Sequence, residues 1–173
     1  VHVVLIAVSA TDIASTNQSD ALMKMGHWES SELVEGQPTF KRLHARIWIL
    51  PGSVLREDFL ARRWMHATGE IVDEIIFPSR HSAASGRPSL TLHPIGVMQL
   101  DEDESPPYGG KAGDAPPPST RLASWWQELI RVSEHSDLVE GFDTSLEVTH
   151  HGPWIEVPSL FIEVGSTAET WGH

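Results

Sequence analysis

Ser145-Leu146-Glu147-Val148-Thr149-His150-His151-Gly152-Pro153, followed closely by Ser159-Leu160-Phe161-Ile162-Glu163-Val164, reads as two strands of a packed sheet. The second run is apolar almost throughout, as strands covered on both faces are. Two histidines and two carboxylates sit where such a sheet should be nearly all apolar. A buried ionised carboxylate normally pairs, takes a proton or binds a metal, so Glu147 and Glu163 are candidates for chemistry. In a regular strand alternate residues share a face. That rule sends Glu147, Thr149 and His151 one way and Leu146, Val148 and His150 the other, unless Gly152-Pro153 twists the strand end.

Outward from these two runs, apolar strands alternate with helical patterns. Val3–Val8 reads as a strand, Ser9–Gln18 as a polar loop, and Ser19–Met25 as a short helix after Ser19-Asp20. A loop over Glu29–Thr39 leads to a strand at Arg42–Leu50, ended by Pro51-Gly52. Arg56–Thr68 has helical composition, with Gly69 as its C-cap. Ile71–Phe77 reads as a strand ending at Pro78, and Ser89–His93 as a short one closed by Pro94. Ser119–His135 is the clearest helix, striped by Leu122, Trp125, Trp126, Leu129, Ile130 and Val132. The Trp125-Trp126 pair is read as core rather than as a stacking platform. Strands at Thr144–Thr149 and Pro158–Val164 follow. The expectation is an α/β fold, a mostly parallel or mixed sheet with helices on both faces. Asp101–Ser119 opens with four acids and then holds five prolines and three glycines. It reads as a surface loop within one domain spanning 1–173.

At 173 residues and 40% apolar composition the chain is long enough for one cored domain. It holds no cysteine, so disulfides and thiolate zinc sites are excluded and histidines and carboxylates remain as ligands. This composition fits a cytoplasmic protein. No apolar run reaches transmembrane length, so no membrane partner is expected. The formal net charge of −12 leaves no basic face of the kind nucleic-acid binders show. Any RNA contact must then be local, and DNA is not an expected partner. The first residues already lie in a strand, and Ser166-Thr167-Ala168-Glu169 has the pattern of a capping box with almost no helix after it. An incomplete domain with a further C-terminal segment is expected.

Three more constellations stand beside the first. Glu163 is alone in its apolar strand. It is either a structural acid paired with Arg80 or Arg87, or a metal ligand or general base. Pro78-Ser79-Arg80-His81-Ser82-Ala83-Ala84-Ser85-Gly86-Arg87-Pro88 mixes hydroxyls with two arginines, which suits a phosphate or carboxylate but also a solvated turn. His93 ends its strand at Leu92-His93-Pro94, from where it could reach the same rim as His81 and His151. His2, His27, His44, His66, His135 and His173 lack supporting neighbours. No nucleophile elbow, His-Glu-x-x-His or Walker loop is present.

Arg80-His81-Ser82, the run Gly86-Arg87-Pro88-Ser89-Leu90-Thr91-Leu92-His93-Pro94-Ile95-Gly96, Leu146–Pro153 and Ile162-Glu163-Val164-Gly165-Ser166-Thr167 together resemble the archaeal- and plant-type D-aminoacyl-tRNA deacylases. Ala67-Thr68-Gly69-Glu70, Ser105-Pro106-Pro107 with Gly109-Gly110-Lys111, and the Trp171 region resemble the plant branch. The resemblance implies a fold akin to peptidyl-tRNA hydrolases and phosphorylases. It also implies zinc-dependent hydrolysis of the ester joining a D-amino acid to tRNA, including aldehyde-modified D-aminoacyl groups. On that reading His93, His151 and Glu163 are metal ligands. His150, Glu147 and His81 are catalytic, with Glu147 or His150 supporting the metal ligands or carrying the proton, and Arg80, Ser82 and Arg87 hold the tRNA acceptor end. Family members continue into a glycine-rich, histidine-bearing segment that nothing here matches. Rival readings are another zinc-dependent amidase, a peptidyl-tRNA hydrolase, or a non-catalytic binding module with structural histidines.

Overall fold

The computed structural model describes residues 1–172, so His173 lies outside the described residues. In chain order the elements are β1 (His2–Ser9), α1 (Ile13–Lys24), β2 (Glu29–Ser30), β3 (Thr39–Arg42), β4 (Ala45–Leu50), α2 (Leu60–Thr68), β5 (Ile71–His81), β6 (Ser89–His93), α3 (Leu122–Glu134), β7 (Asp143–Leu146), β8 (Ser159–Gly165) and α4 (Ala168–Trp171). The strands form one eight-stranded sheet in the order β2-β3-β4-β1-β5-β8-β6-β7. β4, β1, β5 and β8 run parallel, and β6 is antiparallel to β8. The sheet is therefore mixed, as expected. No helix among the described residues is long and apolar enough to cross a membrane.

The period-2 alternation of strands splits the apolar residues between two faces. Leu5, Ile75, Phe77 and Phe161 pack with Leu60 and Trp64 of α2 into the main core. Ile6, Ile76, Leu160 and Ile162 face Leu122, Trp125, Trp126 and Leu129 of α3. The tryptophan pair is thus packed against the sheet. Gly69 caps α2 at φ 74°, with open space around it. Gly69→Ala is expected to lower the unfolding free energy by about 1 kcal/mol through backbone strain alone. Urea titration measures it, and an unchanged midpoint would contradict this account of the cap.

Several elements depart from the expected boundaries. The polar stretch before Ser19 is helical from Ile13, because the Asp12 carboxylate accepts from the Ala14 and Ser15 amides and caps it. The small residues Ala14, Ser15 and Ser19 let this helix sit close to the sheet. The strand expected over Arg42–Leu50 is a hairpin, turning at Leu43 with φ 50°. Helix α2 starts later than Arg56, after Phe59 takes a left-handed conformation. β5 runs through Pro78 to His81 instead of ending there. By Pro78 the strand has passed its last β1 pair, Ile6 with Ile76, and is paired with β8 alone, where a missing amide is tolerated. At the C-terminus the capping pair is Thr167 with Thr170, not Ser166 with Glu169.

The stretch 101–119 has no helix or regular strand, yet it is tied down. Arg56 Nη2 donates to the Pro107 carbonyl at 2.7 Å, and the Gly152 amide donates to the Tyr108 carbonyl at 3.1 Å. A Cβ on Gly152 would overlap the Gly109 and Gly110 backbone, so glycine is required for this approach. At the far end buried Glu74 accepts from the Ser119 hydroxyl and from Arg121 Nη1, fixing the start of α3 to β5.

Candidate active site

The registers of β6 and β8 build the centre. Thr91 lies opposite Glu163 and His93 opposite Phe161, so these four side chains share the face of the main core. Because β6 is antiparallel to β8, the end of β6 does not reach the rim where β5 ends. His93 lies instead part-way down the sheet face. The site is a patch running from that face to the rim, which corrects the expected single rim. His93 is fully buried, with its ring 5.2 Å from Phe161 in a parallel stack. Phe161 in turn stacks on Phe77 at 4.7 Å.

The segment after β7 supplies the other two imidazoles. The strand ends at Leu146, not Thr149, so the alternation rule does not govern residues 147–151. His151 adopts φ 46°, a left-handed conformation that turns its side chain to the same side as that of His150. The His93 ring lies 4.0 Å from His150 and 4.8 Å from His151, and the latter two are 4.5 Å apart. Each ring uses Nδ1 on a backbone carbonyl: His93 on Pro94 at 2.8 Å, His150 on Val148 at 2.6 Å, His151 on Gly152 at 2.7 Å. A carbonyl only accepts, so each Nδ1 carries the proton and each Nε2 presents a lone pair. One ring nitrogen from each of the three histidines lies within 4.8 Å of the others, a donor set suited to a cation.

A second trio adjoins the first. One ligand atom each from His81, Glu147 and Glu163 also lies within 4.8 Å of the others. His81 Nε2 donates to Glu147 Oε1 at 3.0 Å, and His81 Nδ1 is 2.8 Å from both the Ser89 and Ser166 hydroxyls. Thr91 Oγ1 donates to Glu163 Oε2 at 3.3 Å. Glu163 pairs with neither Arg80 nor Arg87, contrary to the structural alternative. Arg87 instead faces Asp143 at 3.4 Å on the surface, while Arg80 stands by Trp171.

Burial sets the protonation of the centre. It pushes the Glu163 carboxyl up to about 7 and draws His93 down to about 4 and His151 down to about 3. Glu163 Oε1 is 3.6 Å from His93 Nε2, too long for a hydrogen bond. A neutral imidazole makes that contact no ion pair either. His93 Nε2 is therefore buried without a partner.

A cavity of about 490 Å³ opens onto this centre. It is lined by His81, His150, His151 and Glu163 on one side, and by Ser9, Thr11, Asp12, Ser53, Arg80, Ser82, Tyr108 and Trp171 on the other. Of the residues expected to hold a substrate, Arg80 and Ser82 line it and Arg87 does not. The partners Thr91, Ser89 and Ser166, and the wall residues Tyr108, Asp12 and Ser53, were not anticipated. Only the Gly109-Gly110 pair hinted that the chain comes close to something beside Tyr108.

Comparison with known proteins bears on this centre. A family profile for D-aminoacyl-tRNA deacylase matches residues 68–173. A D-aminoacyl-tRNA deacylase of Arabidopsis thaliana is 45% identical over 170 residues, covering 98% of this chain and 54% of that protein. The chain spans about half the length of the curated relatives it matches. The crystal structure of a conserved protein of unknown function aligns with a TM-score of 0.85 at 28% identity, over 99% of this chain and 58% of the other. A methylthioadenosine/S-adenosylhomocysteine nucleosidase of Helicobacter pylori aligns with a TM-score of 0.56 at 11% identity, over 94% of this chain and 88% of the other. That last likeness concerns the fold alone, and it accords with the phosphorylase-type α/β architecture expected.

Proposed function

The chain belongs to the D-aminoacyl-tRNA deacylase family, and on that premise we propose that its sheet-face centre hydrolyses the ester bond of D-aminoacyl-tRNA in the cytoplasm. The products are a D-amino acid and free tRNA, and aldehyde-modified D-aminoacyl groups are substrates too. The observation that carries the reading is the clustering of the three imidazoles, a ring nitrogen of each within 4.8 Å of the others and each ring oriented by an Nδ1–H held on a backbone carbonyl. Such outer hydrogen bonds fix the tautomer of metal-binding histidines.

The donor set fits zinc. Three neutral imidazoles are a known catalytic zinc set, and the chain offers no thiolate. If the histidines were only structural, His93 Nε2 would stay desolvated and unpaired, at about 1–3 kcal/mol. We assign His93, His150 and His151 as the zinc-holding residues, with Glu163 next to them. When bound there, zinc supplies Lewis acidity and draws the pKa of water down to about 7.

The remaining work belongs to the chain itself. An aminoacyl ester is already activated, so positioning water and holding protons is most of the task. Glu163, poised near neutrality by burial, takes the proton of the attacking water at Oε1 or Oε2 as the water oxygen bonds to the ester carbonyl, and returns it to the ribose oxygen as the ester C–O bond breaks. His81 is held between the Glu147 carboxylate and the Ser89 and Ser166 hydroxyls, and it orients Glu147 beside Glu163. Arg80 and Ser82 bind the acceptor end. Purified protein is expected to hydrolyse a D-aminoacyl-tRNA faster than its L counterpart by at least about tenfold. Equal turnover of the two would remove this reading in favour of a general esterase or peptidyl-tRNA hydrolase.

A further inference from the structure

The far wing of the cavity has no part in the proton chemistry above, yet it is built for a ligand. It lies across the carboxyl ends of β5 and β1 and is lined by the hydroxyl residues Thr11, Ser53 and Ser82, while the Ser9 and Ser79 hydroxyls beside them donate to the Gly52 carbonyl and the Asp12 carboxylate. Glu163 on β8 and Ser9 on β1 are separated by the single strand β5, roughly 10 Å across the sheet. A hydroxyl-lined wing of that reach suits a sugar and its phosphate better than an amino-acid side chain.

Its cationic member is Arg80. The guanidinium lies 5.1 Å over the Trp171 ring, and the indole N–H donates to the His81 carbonyl at 2.7 Å, which holds the ring as a shelf. A guanidinium stacked on an aromatic face keeps its in-plane donors free. Arg46, Arg63 and Arg121 all meet carboxylates, whereas among the described residues the Arg80 guanidinium has no ion-pair partner. The nearby Asp12 carboxylate is already committed. It accepts from the amides of Ala14, Ser15 and Arg80 and from the Ser79 hydroxyl.

We propose that Arg80, backed by Trp171, binds the 5′-phosphate of the substrate's 3′-terminal nucleotide, with the ribose against Thr11 and Ser53. Trp171 is a positioning residue here: it acts through Arg80. The identity of the occupant rests on the deacylase reading, but the nucleoside-phosphate site does not.

Calorimetric titration of the purified protein with adenosine 5′-monophosphate and with adenosine tests it. The monophosphate is expected to bind about tenfold more tightly, the worth of a charge-assisted contact. Arg80→Ala should bring the two ligands to equal affinity, and Arg80→Lys should keep part of the difference. Trp171→Phe retains a ring but loses the bond to His81, and should weaken the monophosphate about threefold. In deacylation the Arg80→Ala loss should fall on KM. No saturable monophosphate binding, equal binding of both ligands by the unaltered protein, or an Arg80→Ala protein that still prefers the phosphate would each overturn the assignment. An Arg80-dependent preference in protein that hydrolyses no D-aminoacyl-tRNA would keep this site and remove the deacylase reading alone.

Discussion

His151→Ala is expected to strip zinc from the protein and to slow D-aminoacyl-tRNA hydrolysis by at least about a hundredfold. Loss of even an outer hydrogen-bond partner of a metal ligand typically lowers affinity or activity by about 10- to 100-fold, and loss of a ligand should exceed that. His151 is the most exacting of the three imidazoles, because its ring enters the cluster only through the left-handed turn at φ 46°. Alanine is strained at that angle and will also disturb the fold somewhat. His151→Asn separates the two effects. Asparagine tolerates the left-handed region, and its amide can take over the donation to the Gly152 carbonyl. It lacks an atom where Nε2 stood. Metal content by mass spectrometry and single-turnover deacylation should therefore fall in both variants, while thermal stability falls mainly in the alanine one. His93→Ala combined with His151→Ala should be little worse than either alone, since both remove one shared centre. An asparagine variant with full zinc and full turnover would mean that the three imidazoles cluster for another reason.

The sequence exposes those residues because each is out of place. Glu163 in Phe161-Ile162-Glu163-Val164 breaks an apolar run, and His93 ends one, so both stand out before any contact is known. What one dimension hides is direction. Ser89–His93 is found at its expected boundaries, but nothing in five residues tells whether the strand runs with β8 or against it. That sense decides whether His93 lies at the rim or on the sheet face. The same holds for His150 and His151. Strand alternation would set them apart, and a single positive φ brings them together. Glycine is the residue usually expected at such an angle, so a histidine there carries no signal. Helix α1 escapes notice because its inner face is Ala14, Ser15 and Ser19, small residues that leave no marked apolar stripe. Tyr108 and the 101–119 stretch escape for a similar reason. Proline and glycine composition marks a loop, but the loop's place over the cavity is fixed by hydrogen bonds to its carbonyls from the Arg56 guanidinium and the Gly152 amide.

The same buried imidazoles predict how metal-free protein responds to acid. His93 has a pKa of about 4 in the folded chain because burial disfavours its charged form, against an ordinary value of 6.5. The unfolded chain takes up that proton below pH 6.5 and the folded chain does not until about pH 4. Stability is therefore full above pH 6.5 and falls as pH drops toward 4, with His93 alone accounting for about 3 kcal/mol. His151 acts in the same direction and continues to about pH 3. Glu163 opposes them. Its folded pKa of about 7 lies above the ordinary 4.5, so its contribution is present below pH 4.5 and is lost as pH rises through 7. Two histidines against one carboxyl leave a net loss on acidification, steepest between about pH 4.5, where Glu163 has little more to add, and pH 4, where folded His93 begins to take its proton. His93→Phe keeps a flat ring against Phe161 and removes the titration. Urea unfolding of metal-free protein at pH 7.5 and pH 4.5 should show the unaltered chain losing most of that 3 kcal/mol more than the phenylalanine variant. Equal losses in the two proteins would mean that the His93 ring is protonated in the folded state, and a protonated ring has no lone pair for a cation.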